Sequence, residues 1–174
     1  AVTKLYGGTI NEVYGGSNTL GDIRKVIVET KTPGTSRPDC CAALNVINMY
    51  GAGSEAEMTG DVNIIMECSP VAYVDAVYGG AKNAVINGNV TLTVTSGKYG
   101  RVFGGNNEGG SINGIITVNV KEDGCDDLEI GELYGAGNQA PYSRFGCTGS
   151  NGNWTPNETN TNNFEVTFDQ NEQY

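Results

Sequence analysis

The sequence predicts an all-β fold, a single-stranded parallel β-helix (β-solenoid) of about five coils with inserted loops. Three observations predict it. A short unit, a strand ending in an aromatic residue and a glycine, recurs five times along the chain. A second glycine corner follows in each of the first four units and opens a strand of period-two alternation. Helix signals are missing: 26 of the 174 residues are glycine, the apolar segments are rich in Val, Ile and Thr, and no 3.6-residue apolar pattern lasts three turns.

The units align on Tyr14, Tyr50, Tyr78, Phe103 and Tyr134. Each anchor follows an aliphatic or Met residue (Val13, Met49, Val77, Val102, Leu133) and precedes a glycine (Gly15, Gly51, Gly79, Gly104, Gly135). Four residues upstream stands a further apolar residue: Ile10, Val46, Val74, Tyr99 and Ile130. The second corner carries Gly21, Gly60, Gly88 and Gly114. In the strands that follow, Val62, Ile64 and Met66 share one face, as do Val90, Leu92 and Val94, and Ile116, Val118 and Val120. Ile23, Val26 and Val28 fit with one extra residue, which predicts a bulge. The last unit delays its strand to Phe164, Val166 and Phe168.

Anchor spacings of 36, 28, 25 and 31 residues vary because insertions fall between strands, at 30–43, 67–72, 121–128 and 142–163. Solenoids accept extra length in this way, since each repeat contacts only its neighbours. One module covers 1–174, with 142–163 as an inserted polar loop. Coils stacked at about 4.8 Å give a rod on the order of 25 Å long. The stretch "GGNNEGG" at 104–110 then reads as a corner that uses glycine's access to positive φ. A phosphate loop would need a Lys-Ser or Lys-Thr after the glycines and a helix N-terminus, and neither follows.

A net charge of −10 and a pI near 4.3 argue against nucleic acid and anionic lipid as partners. No apolar run approaches the roughly 20 residues of a membrane helix, so no membrane insertion is expected. The chain opens at Ala1 and stops at Tyr174, which reads as a piece of a longer protein. It holds no histidine, which removes Ser-His-Asp and Cys-His catalysis and the commonest general base.

The segments "VYGGSN", "SGKYGRVFGGN", "GSINGIITVNV" and "IGELYGAGNQAPYS" resemble the tandem YGG/FGGN-repeat regions of large secreted, adhesin-like surface proteins of gut Bacteroidetes, over most of residues 5–143. The resemblance implies an extracellular or cell-surface location and a right-handed β-helix-like fold. It implies no catalytic residues. The cysteines independently agree with that compartment. Cys40, Cys41, Cys68, Cys125 and Cys147 all lie in insertions, where disulfides would pin loops. Vicinal Cys40 and Cys41 would need a strained peptide to bond each other, so one of them, Cys41 in the first instance, is expected to reach Cys68, and Cys125 to reach Cys147. One thiol remains.

The aromatic column is the leading recognition candidate. On a strand, anchor and preceding aliphatic have opposite parity, so only one faces the core. Facing out, Tyr14, Tyr50, Tyr78, Phe103 and Tyr134 would offer rings to a glycan; facing in, they are packing. Trp154, in the polar segment "TGSNGNWTPNETNTNN", either covers the solenoid or joins a ligand site. No cofactor is required. Calcium is the one candidate, through Asp22 and Asp61, which recur at the second corner with Asn89 in the third unit; an Asx turn is the competing role. Asp126 with Asp127, or Glu129 with Glu132, are the carboxylate pairs an acid-base enzyme would use. The bland alternative is that they are solvated rim charges.

The expectation is a structural or adhesive surface module and not an enzyme, with an extracellular glycan, a host or cell-surface protein, or neighbouring repeats of the same chain as partners. The alternative is a polysaccharide-active β-helix enzyme of lyase or glycosidase type. Non-reducing peptide mapping of protein taken from an oxidising compartment should recover a bridge from Cys68 to Cys41 or Cys40 and one between Cys125 and Cys147. Five free thiols would contradict it.

Overall fold

The computed structural model describes residues 1–30, 44–67, 71–122, 127–140, 142, 147–150, 153–156 and 165–169. The side chains of 71–72, 147–150, 153–156 and 165–169 lie outside the description. Its strands are β1 (Val2–Leu5), β2 (Gly8–Tyr14), β3 (Lys25–Thr30), β4 (Leu44–Tyr50), β5 (Asp61–Met66), β6 (Val71–Tyr78), β7 (Asn83–Ile86) and β8 (Val90–Val94). They continue with β9 (Gly97–Phe103), β10 (Gly109–Ile112), β11 (Ile116–Lys121), β12 (Leu128–Tyr134), β13 (Cys147–Ser150), β14 (Asn153–Pro156) and β15 (Glu165–Asp169). No helix occurs among the described residues.

The chain is a parallel β-solenoid of about four complete turns, with strands of partial turns at the ends. One face is a six-stranded sheet in the order β1-β3-β5-β8-β11-β15. A second is five-stranded, β12-β9-β6-β4-β2. Every neighbour within these sheets is parallel, because each coil lays the same segment on the one before it. A short third face, β7 beside β10 with an isolated bridge from Met58 to Ile86, lies between the two glycine corners. Nothing in the sequence pattern marks this face. Its strands of four residues are too short to show alternation.

Inside the coils the apolar columns form one core. The six-stranded sheet contributes Val26 and Val28, then Val62, Ile64 and Met66, Val90, Leu92 and Val94, and Ile116 and Val118, all fully buried. The five-stranded sheet contributes Val46, Val74 and Tyr99 and the aliphatics Val13, Met49, Val77 and Val102. Residues 10 and 13, or 46 and 49, both face inward, a spacing of three that flat pleating forbids. The strands resolve it by bending together. Partnered ladder positions skip residues 11 and 47, 75 and 100, and 100 and 131 at the same level of successive coils.

The bulge expected between residues 23 and 26 is not there. From Lys25 to Thr30, β3 pairs residue for residue with Asp61 to Met66 of β5, and Thr30 is the third inward residue. Arg24, not Gly21, therefore stands at the level of Gly60. Left-handed backbone is not what calls for glycine at the first corner. Positive φ occurs at Gly7, Gly8, Gly21, Gly97 and Gly110, and none of the first-corner glycines is among them. Gly15, Gly51, Gly79 and Gly104 are required by close approach. A Cβ on any of them would run into the carbonyl oxygen of the next coil's corner glycine and into an inward Val or Ile methyl. Within "GGNNEGG", Gly110 alone takes the left-handed turn, at φ 76°.

In the last unit, β15 places Val166 and Phe168 beside Val118 and Val120, as the sequence predicts; Phe164 lies outside the described residues. The inserted segment 142–163 is more than a loop, since β13 and β14 pair as an antiparallel hairpin within it. Substituting Gly79 by Ala should lower the free energy of unfolding by about 1–3 kcal/mol, because the added methyl has only backbone and a core Val to displace. Thr91→Ala on the outer face of the same coil should change it by less than about 0.5 kcal/mol. Urea unfolding of the two variants decides this, and equal midpoints would remove the close-approach explanation.

Candidate functional site

Parity on the second face is settled by the burial of both columns. Val13, Met49, Val77 and Val102 belong to the main core, so the anchors point outward. They are nevertheless covered. Tyr50, Tyr78 and Phe103 are 1–3% exposed and, with Ala76 and the partly buried Tyr14, form a small second cluster outside the main core. Ring centroids follow one another at 4.8, 5.0, 5.0 and 4.7 Å with interplanar angles of 6–9° from Tyr14 to Tyr134. That spacing is the coil spacing. Parallel rings held so far apart touch only when offset, which is the favoured stacking geometry.

This geometry corrects the glycan-platform reading of the column. Both faces of Tyr50, Tyr78 and Phe103 are taken by neighbouring rings, so no sugar can stack on them. Only the terminal rings have a free face within the column, and Tyr134 is 45% exposed.

The hydroxyl edges of the column are held by a polar rail that the sequence did not reveal. Tyr14 Oη donates to Glu12 Oε2 at 3.1 Å and Tyr134 Oη to Glu132 Oε2 at 3.0 Å. Asn107 Nδ2, two coils on, donates to Tyr50 Oη at 3.1 Å. Lys82 Nζ lies between Glu12 Oε1 at 3.7 Å and Glu108 Oε1 at 3.8 Å. Its ammonium is held above the usual lysine range by the Tyr14 phenol and by these two carboxylates. Burial pushes the Tyr50 phenol up to about 12. Burial alone raises Tyr99, whose hydroxyl sits in the core and donates to the Ser96 carbonyl at 2.7 Å. In sequence these partners are up to 70 residues apart, so only the outward parity of positions 12 and 14 hinted at them.

The other candidates separate. Asp61 Oδ1 accepts from the Asn89 N–H at 2.8 Å, and Asn89 Oδ1 from the Ile115 N–H at 2.9 Å, so this column stitches the second corner together. Asp22 is not at that level: Lys25 is, and Asp22 Oδ1 accepts from Thr59 Oγ1 at 2.6 Å while Asp22 Oδ2 lies 3.7 Å from Arg24 Nε. The stacked Asp22–Asp61 calcium edge is therefore not formed, and among the described residues no three His, Cys, Asp or Glu side chains gather as a metal site. Glu129 is ion-paired with Lys98 at 2.9 Å and Glu132 holds Tyr134, so the two face different partners. Asp126, Cys40, Cys41, Cys68 and Cys125 lie outside the described residues, as do the side chains of Cys147 and Trp154. Their backbones fall on β13 and β14, with Cys147 opposite Pro156 and Trp154 opposite Gly149.

A second surface group lies on the same outer face. Tyr73, 46% exposed, donates through Oη to Asp75 Oδ1 at 3.2 Å, and Arg101 Nη2 binds Asp75 Oδ2 at 3.0 Å. Tyr73 was legible in "VAYVDAVY" only as one outward residue among several.

No family model, no curated protein and no solved structure matches this chain. The class is set by the fold itself: a parallel β-solenoid with a stacked aromatic column on one outer face.

The phenol shifts predict an alkaline limit. A folded value raised above the ordinary 10 favours the protonated ring, so Tyr50 contributes fully below pH 10 and its contribution is lost as pH rises towards about 12. Ultraviolet phenolate titration followed alongside circular dichroism should show Tyr50 and Tyr99 ionising only as β-structure is lost. Nine tyrosines titrating together near pH 10 in folded protein would contradict it.

Proposed function

We propose that this chain is a non-catalytic surface module that spaces or displays and makes adhesive contacts with glycans or host matrix. The observation that supports the reading most directly is how fully the repeat columns are spent on holding coils together. Inward strand positions are apolar or aromatic except Thr30, corner glycines touch the next coil, and the aromatic and Asx columns join coils along the axis. Active sites ordinarily break such regularity with titratable groups beside the core. Of the carboxylate pairs in the enzyme hypothesis, Glu129 and Glu132 each serve a structural partner. An extracellular or cell-surface setting suits a rod with net charge −10 and cysteines in its insertions.

The test has two arms. A glycan and host-matrix array should give saturable binding to at least one class of ligand. Incubation with acidic and neutral polysaccharides, with and without calcium, should give no new reducing ends or unsaturated products. Sustained turnover abolished by Asp126→Asn or Glu129→Gln would replace the adhesive reading with the enzyme one.

A further inference from the structure

We infer that Tyr73, with Asp75 and Arg101, forms a stacking subsite for one neutral pyranose ring on the outer face of the five-stranded sheet; the inference rests on the adhesive reading above. In the middle coils the column rings are sealed, whereas Tyr73 is 46% exposed. Its pose is fixed by what lies under it. A Cβ on Gly100, in the next coil, would sit 2.7 Å from the Tyr73 hydroxyl and 2.7 Å from the Asp75 carbonyl oxygen. The hydroxyl end of the side chain therefore lies over a position of the neighbouring coil that carries no side chain, while nearly half of the residue stays open to solvent. Its hydroxyl is tethered to Asp75 Oδ1, whose second oxygen is clamped by Arg101. Such an aromatic loses little freedom on binding, which is what a stacking anchor requires.

The ligand class follows from the surrounding charge. On a chain of net charge −10, the charges beside the ring are already engaged: Asp75 pairs with Arg101 at 3.0 Å, Lys98 of the next coil pairs with Glu129 at 2.9 Å, and Glu132, at the level of Arg101, is held by the Tyr134 hydroxyl. An acidic or basic ligand would have to break one of these pairs, and a neutral one would not. The apolar C–H face of a pyranose fits the exposed part of the ring. Its hydroxyls meet the guanidinium N–H groups not used by Asp75 and the unused lone pairs of the carboxylate. Ile47, 50% exposed on the preceding coil, stands at the level of Asp75. A flat protein partner would instead gain most from uncompensated charge or a wide apolar patch, which these paired ions interrupt.

The experiment titrates isotope-labelled protein with cellohexaose, maltohexaose and mannohexaose while amide shifts are followed. At least one sugar should move the Gly100 and Gly131 N–H signals saturably. Tyr73→Ala should weaken that binding at least about tenfold, whereas Tyr73→Phe, which keeps the ring and loses the tether, should weaken it less, and Tyr134→Ala should leave it unchanged. If Tyr73→Ala fails to fold by circular dichroism, Arg101→Ala stands in, with an expected loss of several-fold. Saccharide binding that persists in the folded Tyr73 variant, or that moves other signals only, overturns this subsite and leaves the adhesive reading in place. Silence from all three sugars overturns the subsite as well, and silence across the matrix array in addition takes the adhesive reading with it.

Discussion

The parallel hydrogen-bond ladder between coils is the constraint from which the rest of this molecule follows. It holds successive coils one strand apart, at about 4.8 Å, and in register, so each residue lies on its counterpart. At the first corner the ladder runs from Gly15, Gly51, Gly79 and Gly104 N–H to the carbonyls of Tyr50, Tyr78, Phe103 and Tyr134 at 2.8–3.0 Å. At that separation a Cβ has nowhere to go, and glycine is the consequence. One residue earlier the same spacing puts ring on ring, and the column of five aromatics closes into its own cluster although it points away from the core.

Stacking like on like has a cost for charged and polar residues, and the outer faces show how it is met. Asn87 donates to Glu57 Oε1 at 2.7 Å and Asn113 to Asn87 Oδ1 at 2.6 Å, an amide ladder along the third face. Acidic residues alternate with cations between coils instead of stacking: Lys4 faces Glu29, Lys82 lies between Glu12 and Glu108, and Lys98 faces Glu129. Each pair is at least partly exposed and contributes little to stability singly, yet each removes a repulsion that register would otherwise enforce. Asn106 does the same inside the first corner. Buried at 2% exposure, it accepts from the Ala81 N–H and donates to the Ala84 and Gly109 carbonyls, satisfying a turn that the core would leave dry.

A scaffold so occupied with itself has few side chains left over for a partner. The residues that remain are those the register does not stack, and Tyr73 is the clearest, because its column neighbours Asn45 and Lys98 carry no ring to pair with it. Recognition on a solenoid of this kind is expected where the repeat is broken, and the proposed subsite lies at such a break.

The sequence by itself determined the repeat, the solenoid, the inward aliphatic columns and the strand of the last unit, because these depend on period-two alternation and on glycines at fixed offsets from an aromatic anchor, both local signals. It also determined that corner glycines were necessary, though for the wrong reason: positive φ is a property of one residue, whereas the close approach that excludes a Cβ belongs to two coils. Tertiary structure alone decided that Arg24 and not Gly21 takes the level of Gly60, and so that Asp22 and Asp61 part company, since equal motifs fix spacing only within a coil and the ladder fixes it between coils. It alone decided that the aromatic column points outward and is still buried at Tyr50, Tyr78 and Phe103, and that Lys82 meets Glu12 and Asn107 meets Tyr50. Those contacts join residues one and two coils apart, and variable insertions between repeats scatter them along the chain, leaving no period from which they can be read.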